Sequence, residues 1–201
     1  PSNIGYPINS EEDDLGLFVS LDGKTGYFSS NTLRANTGWD LYQFEMPAEA
    51  RPEEVFLLQG TLDVKEGEDL SDASVKIKNL RTKELTEVKV DQQTGSYARV
   101  IEKKEASDYI VKVEKKGAAF SSSYISAEKI KLNPTVKSDL QLASMEVGKE
   151  YTLNDIQFST NSAELNRAAQ SIIEEFVLFM QENGNLQADI QGHTDDVGDD
   201  Q

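Results

Sequence analysis

The chain has no cysteine, one histidine, one tryptophan and five prolines in 201 residues. Each scarcity removes some chemistry. Without cysteine there is no disulfide, no thiolate zinc site and no cysteine nucleophile. The compartment stays open, because cytosol and periplasm suit such a chain equally. His193 alone cannot make a histidine-cluster metal site, and no Gly-x-Ser-x-Gly elbow offers a hydrolase triad. The longest unbroken apolar run, 176–180, is far short of the roughly 20 residues that span a bilayer as a helix. Basic charge is also short: 20 lysines and arginines face 36 acids, a net charge of −16. With no basic stripe, nucleic acid is not an expected partner.

The charge is unevenly spread. Residues 1–58 hold 3 basic and 10 acidic groups, residues 59–143 hold 15 and 14, and residues 144–201 hold 2 and 12. Two acidic segments therefore flank a near-neutral one, and the length allows several domains.

In the first segment, Leu17-Phe18-Val19-Ser20 and Gly26-Tyr27-Phe28-Ser29 flank Asp22-Gly23-Lys24. Asp-Gly between β-formers predicts a hairpin, and Asp40–Glu45 predicts a third strand ending before Pro47. Gly23-Lys24-Thr25 is not a phosphate-binding loop, since position 18 is Phe18 rather than glycine and no helix follows. The strings Asn3-Ile4-Gly5-Tyr6-Pro7-Ile8, Asp13-Asp14-Leu15-Gly16, Ser20–Asn31 and Gly38-Trp39-Asp40-Leu41-Tyr42 resemble the PD40 propeller repeat (WD40-like, TolB-type). Leu21 stands where that repeat has proline. The resemblance covers roughly one blade of about 40–45 residues, which implies further blades before Pro1.

The middle segment repeats short alternations: Val55–Leu58, Ser74–Lys78, Glu87–Val90, Tyr97–Ile101 and Tyr109–Val113. Lysines alternate with β-branched residues, predicting an antiparallel sandwich with one buried and one solvated face. A solvated lysine face is the simpler reading, a protein-docking face the sharper one. Gly60-Thr61-Leu62, Ala73–Ile77, the string from Asp91 through Thr94-Gly95 to Tyr97, and Tyr109–Gly117 resemble the carboxypeptidase regulatory-like domain. That resemblance implies an Ig-like sandwich acting as spacer or docking module.

In the last segment, Tyr151–Phe158 predicts a strand. A polar loop, Ser159–Ser162, leads to a helix from about Ala163 to Asn183, and Leu186–Gln191 predicts a second strand. Asn161 and Glu164 have capping-box spacing, and Ser162 is an equally good cap. Leu165, Ala168, Ile172, Phe176, Phe179 and Met180 form one apolar stripe. The result is a β–α–β unit whose loops 159–162 and 192–198 converge if the strands pair side by side. Asp195, Asp196, Asp199 and Asp200 lack EF-hand spacing, so no metal is expected. From spacing alone His193 is a structural turn residue.

Phe158-Ser159-Thr160-Asn161-Ser162-Ala163-Glu164-Leu165, the helix, and Ile190-Gln191-Gly192-His193-Thr194-Asp195-Asp196-Val197-Gly198 resemble the OmpA-like peptidoglycan-binding domain. The resemblance implies noncovalent binding of peptidoglycan through the diaminopimelate of its stem peptide. Asp195 would pair with the ligand's ammonium group and Asn161 would bond the ligand near the helix start, with Thr160 and Thr194 in support. Ser159 replaces a frequent aspartate. The family's arginine, in an Asn-x-x-Leu-Ser-x-x-Arg-Ala helix, would lie beyond Gln201, so about half of that domain is expected here.

The expected fold is therefore multidomain and mainly β. A terminal propeller blade (1–54) and an Ig-like sandwich (55–143) precede a partial α+β, OmpA-like β–α–β unit (144–201). That order resembles envelope proteins of the Bacteroidetes type, some of which serve type IX secretion and gliding. It implies a periplasmic scaffold associated with the outer membrane, a lipoprotein anchor being one route of attachment. The expected partners are peptidoglycan and outer-membrane or periplasmic complex proteins. No cofactor is expected, and no enzyme, because no nucleophile–base pair has usable spacing. The alternative is a protein-interaction module of a secretion or gliding complex without wall binding.

Overall fold

A computed structural model describes residues 14–31, 38–64, 69–103, 107–158 and 164–192, with Gly5, Ile8 and Ser162 besides. Among the described residues the fold is mainly β, with several sheets and no barrel.

The first sheet is an antiparallel meander of β1 (Asp14–Val19), β2 (Thr25–Ser30) and β3 (Asp40–Glu45). Its hairpin turn is closed by Asp22, whose Oδ1 accepts from Ser20 Oγ at 2.6 Å and from the Lys24 amide at 3.1 Å. These bonds hold the Asp22 carboxyl below its ordinary range, the Ser20 hydroxyl contributing most. On one face Phe28 is buried, with Tyr42 and Phe44 at ring distances of 5.6 and 5.8 Å. The other face places Leu15, Ser29 and Leu41 in one cross-strand row and Phe18, Tyr27 and Gln43 in the next. Leu15, Phe18 and Leu41 are all exposed.

After a short 3-10 turn (Ala48–Ala50) come two four-stranded sheets. In one, β4 (Val55–Val64) pairs antiparallel with β7 (Ser96–Glu102) and parallel with β10 (Thr135–Lys137) and β11 (Leu140–Leu142). In the other, β6 (Leu85–Lys89), β5 (Ser74–Asn79), β8 (Tyr109–Glu114) and β9 (Ser122–Ile125) lie side by side, all antiparallel. Phe56, Leu58 and Leu62 of the β4 sheet share a core with Val75, Ile77, Val111 and Ile125 of the β5–β8 sheet. Helix α1 (Ala127–Leu132) carries the chain from β9 across to β10. Its cap, Ser126, accepts the Lys129 amide, and Asp108 Oδ1 accepts that of Ala127.

The five strands expected from alternation all form. The expectation of a purely antiparallel arrangement does not hold, because β10 and β11 run parallel to β4. Both are only three residues long, too short for a readable period of two.

Two local motifs explain why these strands meet in this register. Asp91 Oδ1 accepts from the amides of Gln93 and Thr94 and from the Thr94 hydroxyl, and Gly95 follows at φ +70°. A side chain at Gly95 would press its Cβ to 2.7 Å from the Leu62 carbonyl. The next inward residue, Tyr97, is buried and donates its hydroxyl to the Ser138 carbonyl. Burial pushes that phenol up to about 12, so it stays neutral. Gly60, paired with Tyr97, is the second motif: a Cβ there would lie 1.9 Å from the Ser138 oxygen. Only glycine lets the segment joining β10 and β11 pass so closely.

The last segment departs from the expected β–α–β pattern. Helix α2 spans Arg167–Glu182, and its cap is Asn166, whose side chain accepts the Ala169 amide at 2.8 Å. The capping alternatives were Asn161, which lies outside the described residues, and Ser162, which accepts only the Glu164 amide in a local turn. Among the described residues, 151–158 and 186–191 form no strand, apart from an isolated bridge between Phe158 and Leu165. The first segment is broken at Asn154-Asp155, where Asp155 takes φ +62° and its Oδ2 accepts the Tyr124 amide at the edge of β9. Strands persist only where a neighbour accepts their hydrogen bonds, and α2 has packed elsewhere.

Candidate functional site

The four residues expected to bind peptidoglycan, Thr160, Asn161, Thr194 and Asp195, lie outside the described residues, as does His193. What is described is the frame around them. Phe158 is exposed and bridges to Leu165, α2 begins at Arg167, and Gly192 closes the described chain.

Arg167 sits in the first turn of α2, and its Nε lies 3.1 Å from Asp108 Oδ2. Asp108 is buried and also binds the start of α1 through its other oxygen. Burial, then the hydrogen bond to Asp108, pushes the Tyr124 phenol up to about 12. The helix start is thus tied to the two-sheet body by charge.

The strongest electrostatic arrangement in the described structure lies about two helical turns further on. Strand pairing aligns Lys78 with Ile110 and Tyr124, and Lys76 with Lys112 and Ser122, on the outer face of the β5–β8 sheet. Helix α2 covers this face. Glu175, 2% exposed, receives Lys78 Nζ at one carboxylate oxygen and Lys112 Nζ at the other, the latter at 3.0 Å. Burial alone would raise the Glu175 carboxyl, but the hydrogen bonds and charges of the two lysines outweigh it and hold the group below its ordinary value. Ala169 and Ile172 are fully buried beside it. Phe120 meets Phe176 and Phe179 at ring distances of 5.4 and 5.6 Å. Ile110 is completely buried yet stands outside the core shared by the two sheets. Its cover is α2.

For part of its length the lysine face is therefore covered by the chain's own helix α2, where a solvated face was the simpler expectation. The signal was present in Tyr109-Ile110-Val111, a run that interrupts the lysine alternation. A strand covered on both faces reads as continuous apolar residues.

Elsewhere an open polar groove of about 520 Å³ runs over β4 and β7, lined by Thr61, Tyr97, Lys137 and Asp139 among others. Asp139 Oδ1 there accepts both the amide and the hydroxyl of Thr61. Among the described residues no three His, Asp or Glu side chains gather as metal ligands, and no helix is long and apolar enough to cross a membrane.

In comparisons with known proteins, no family model and no curated protein matches the chain. Any functional reading rests on the residues themselves.

Proposed function

We propose that the chain belongs to a non-enzymatic cell-envelope scaffold that anchors an outer-membrane-associated complex to peptidoglycan, by noncovalent binding of a diaminopimelate-type stem peptide. One observation carries the reading. The string Gly192-His193-Thr194-Asp195, with Gly198 after it, follows Phe158…Asn161-Ser162 at the distance of one helix and one strand-like segment, and so resembles the OmpA-like wall-binding domain. Asp195 supplies the charge for the ligand's ammonium group, and Asn161, Thr160 and Thr194 supply polar contacts. The residues before the helix resemble a propeller blade and a regulatory-like, Ig-like sandwich, which serve as docking surface and spacer in the periplasm.

The test is co-sedimentation of the full natural protein with purified peptidoglycan. Asp195→Ala removes a hydrogen bond to a charged group, a loss of about 1.5–3 kcal/mol, and should leave most of the protein in the supernatant. Unchanged pelleting would overturn the assignment.

A second reading, a protein-interaction module without wall binding, is favoured by the exposed Leu15, Phe18 and Leu41 in neighbouring rows of the first sheet. Contiguous exposed apolar surface of this sort marks contact sites. Under that reading a pulldown recovers envelope proteins, while the protein fails to pellet with peptidoglycan.

A further inference from the structure

We propose that the free edge of β7 accepts an extended peptide strand that sets an acidic side chain opposite Arg99. Among the described residues β7 pairs with β4 alone. At the two ends of that pairing the Leu62 amide donates to the Gly95 carbonyl and the Lys103 amide to the Glu54 carbonyl. Residues 95 and 103 thus turn their main-chain groups to β4. So do 97, 99 and 101 between them, because these directions alternate along a strand. The amides and carbonyls of Ala98 and Val100 therefore point to the open side, where the described structure gives them no partner. An unpaired row of this kind is a template for another strand.

The side chains along the edge specify what that strand carries. Tyr97 and Ile101 pack into the core between the sheets, and Arg99, two residues from each, lies on the same face. It is exposed all the same, and among the described residues no ion pair or side-chain hydrogen bond holds it. Arg99 lines a cleft of about 200 Å³ between β6 and β7, together with Ile77, Ile101 and Tyr109 and the acids Glu84 and Glu102. Because Arg99 turns its main chain to β4, its counterpart on an added antiparallel strand makes a non-hydrogen-bonded pair. Such pairs are the closer kind, about 4.5 Å between Cα atoms, and opposite charges gain from that closeness. A residue two positions along the peptide faces Ile101 and the apolar part of the cleft. The two glutamates disfavour an acidic run, so the fitting peptide carries one acid between apolar residues on its inward face. A second copy of this chain is a poor occupant. Pairing β7 with itself about a two-fold axis sets Arg99 opposite Tyr97, Ile101 or another Arg99, never opposite an acid. This inference is independent of wall binding and of the exposed face of the first sheet.

The probe is the synthetic peptide Lys-Val-Thr-Glu-Thr-Val-Lys with blocked ends, in which both valines and the glutamate share one face. Titrated into the full chain, it should slow hydrogen exchange at the Ala98 and Val100 amides. Replacing its glutamate by lysine should weaken binding roughly fivefold or more, and N-methylation of both threonine amides should abolish it. Arg99→Glu, at an exposed position, should reverse the preference, so that the lysine peptide binds better than the glutamate peptide. Unchanged exchange at Ala98 and Val100 overturns the proposal, as do equal affinities for the two peptides or undiminished binding of the N-methylated one. Protection of the two amides that appears without peptide and grows with protein concentration would mean that a second copy holds the edge, and overturns it too.

Discussion

The first sheet and the sheet containing β5 and β8 are built alike, from antiparallel strands with one apolar face turned inward, but differ in what covers their outer faces. On the first, Leu15, Phe18 and Leu41 stand exposed in neighbouring rows. On the second, Ile110 occupies a comparable outward position and is completely buried, on the face where α2 docks. The difference lies in the charges around the apolar residues. Ile110 is flanked by lysines that take Glu175 between them, so only a helix carrying an acid at that height can settle there. The Leu15–Leu41 row pairs through Ser29 and has no such cations within the sheet. Apolar area gives attraction without direction, and the buried charges give it one.

That contrast can be broken at four points. The largest effect is expected in the shared core: Leu58→Ala should destabilise the two-sheet body by about 3 kcal/mol, read as a lower denaturant midpoint, whether or not α2 is docked. Ile110→Ala should come next, at about 2 kcal/mol, and should also loosen α2, which hydrogen exchange of the helix amides would show. Leu41→Ala, a similar truncation on the bare face, should change stability by about 0.5 kcal/mol or less. If the two truncations cost the same, the outer faces do not differ as described.

Acid provides a gentler perturbation. The Glu175 carboxyl titrates below its ordinary value of 4.5 when docked, so the undocked helix takes up the proton first. The contribution of the pair is complete above the ordinary value and is lost as pH falls through the lowered one. Helix amides should therefore exchange faster, relative to the β4 amides, in strongly acidic solution. Between pH 6 and 8 this carboxylate should cause no change.

How much of this was legible in the sequence follows from how local each determinant is. The turn at Thr94-Gly95 was readable because Asp91 closes it within three residues, whereas the Tyr97 hydroxyl finds the Ser138 carbonyl 41 positions away and was not. Asn166 was missed as the helix cap because Asn161, Ser162 and Asn166 are all competent caps. The choice was made at a distance, where Arg167 meets Asp108. The strand expected at 151–158 failed because Asp155 found the Tyr124 amide, a partner about thirty positions earlier in the chain. Ile110 carried a readable signal as the apolar residue in a lysine row, but nothing in the sequence said which element would cover it. Of the proposed wall-binding residues, Asp195, Asn161, Thr160 and Thr194, the sequence string is the whole basis.

The docking of α2 by charge is tested most directly by a double-mutant cycle between Lys112 and Glu175, using Lys112→Met and Glu175→Gln and the stability of α2 from its amide exchange. The pair spans 3.0 Å with both side chains largely buried, so a coupling of about 1–2 kcal/mol is expected. A coupling indistinguishable from zero would mean that the two residues are neighbours without being partners, and would contradict the docking of α2 by this buried pair.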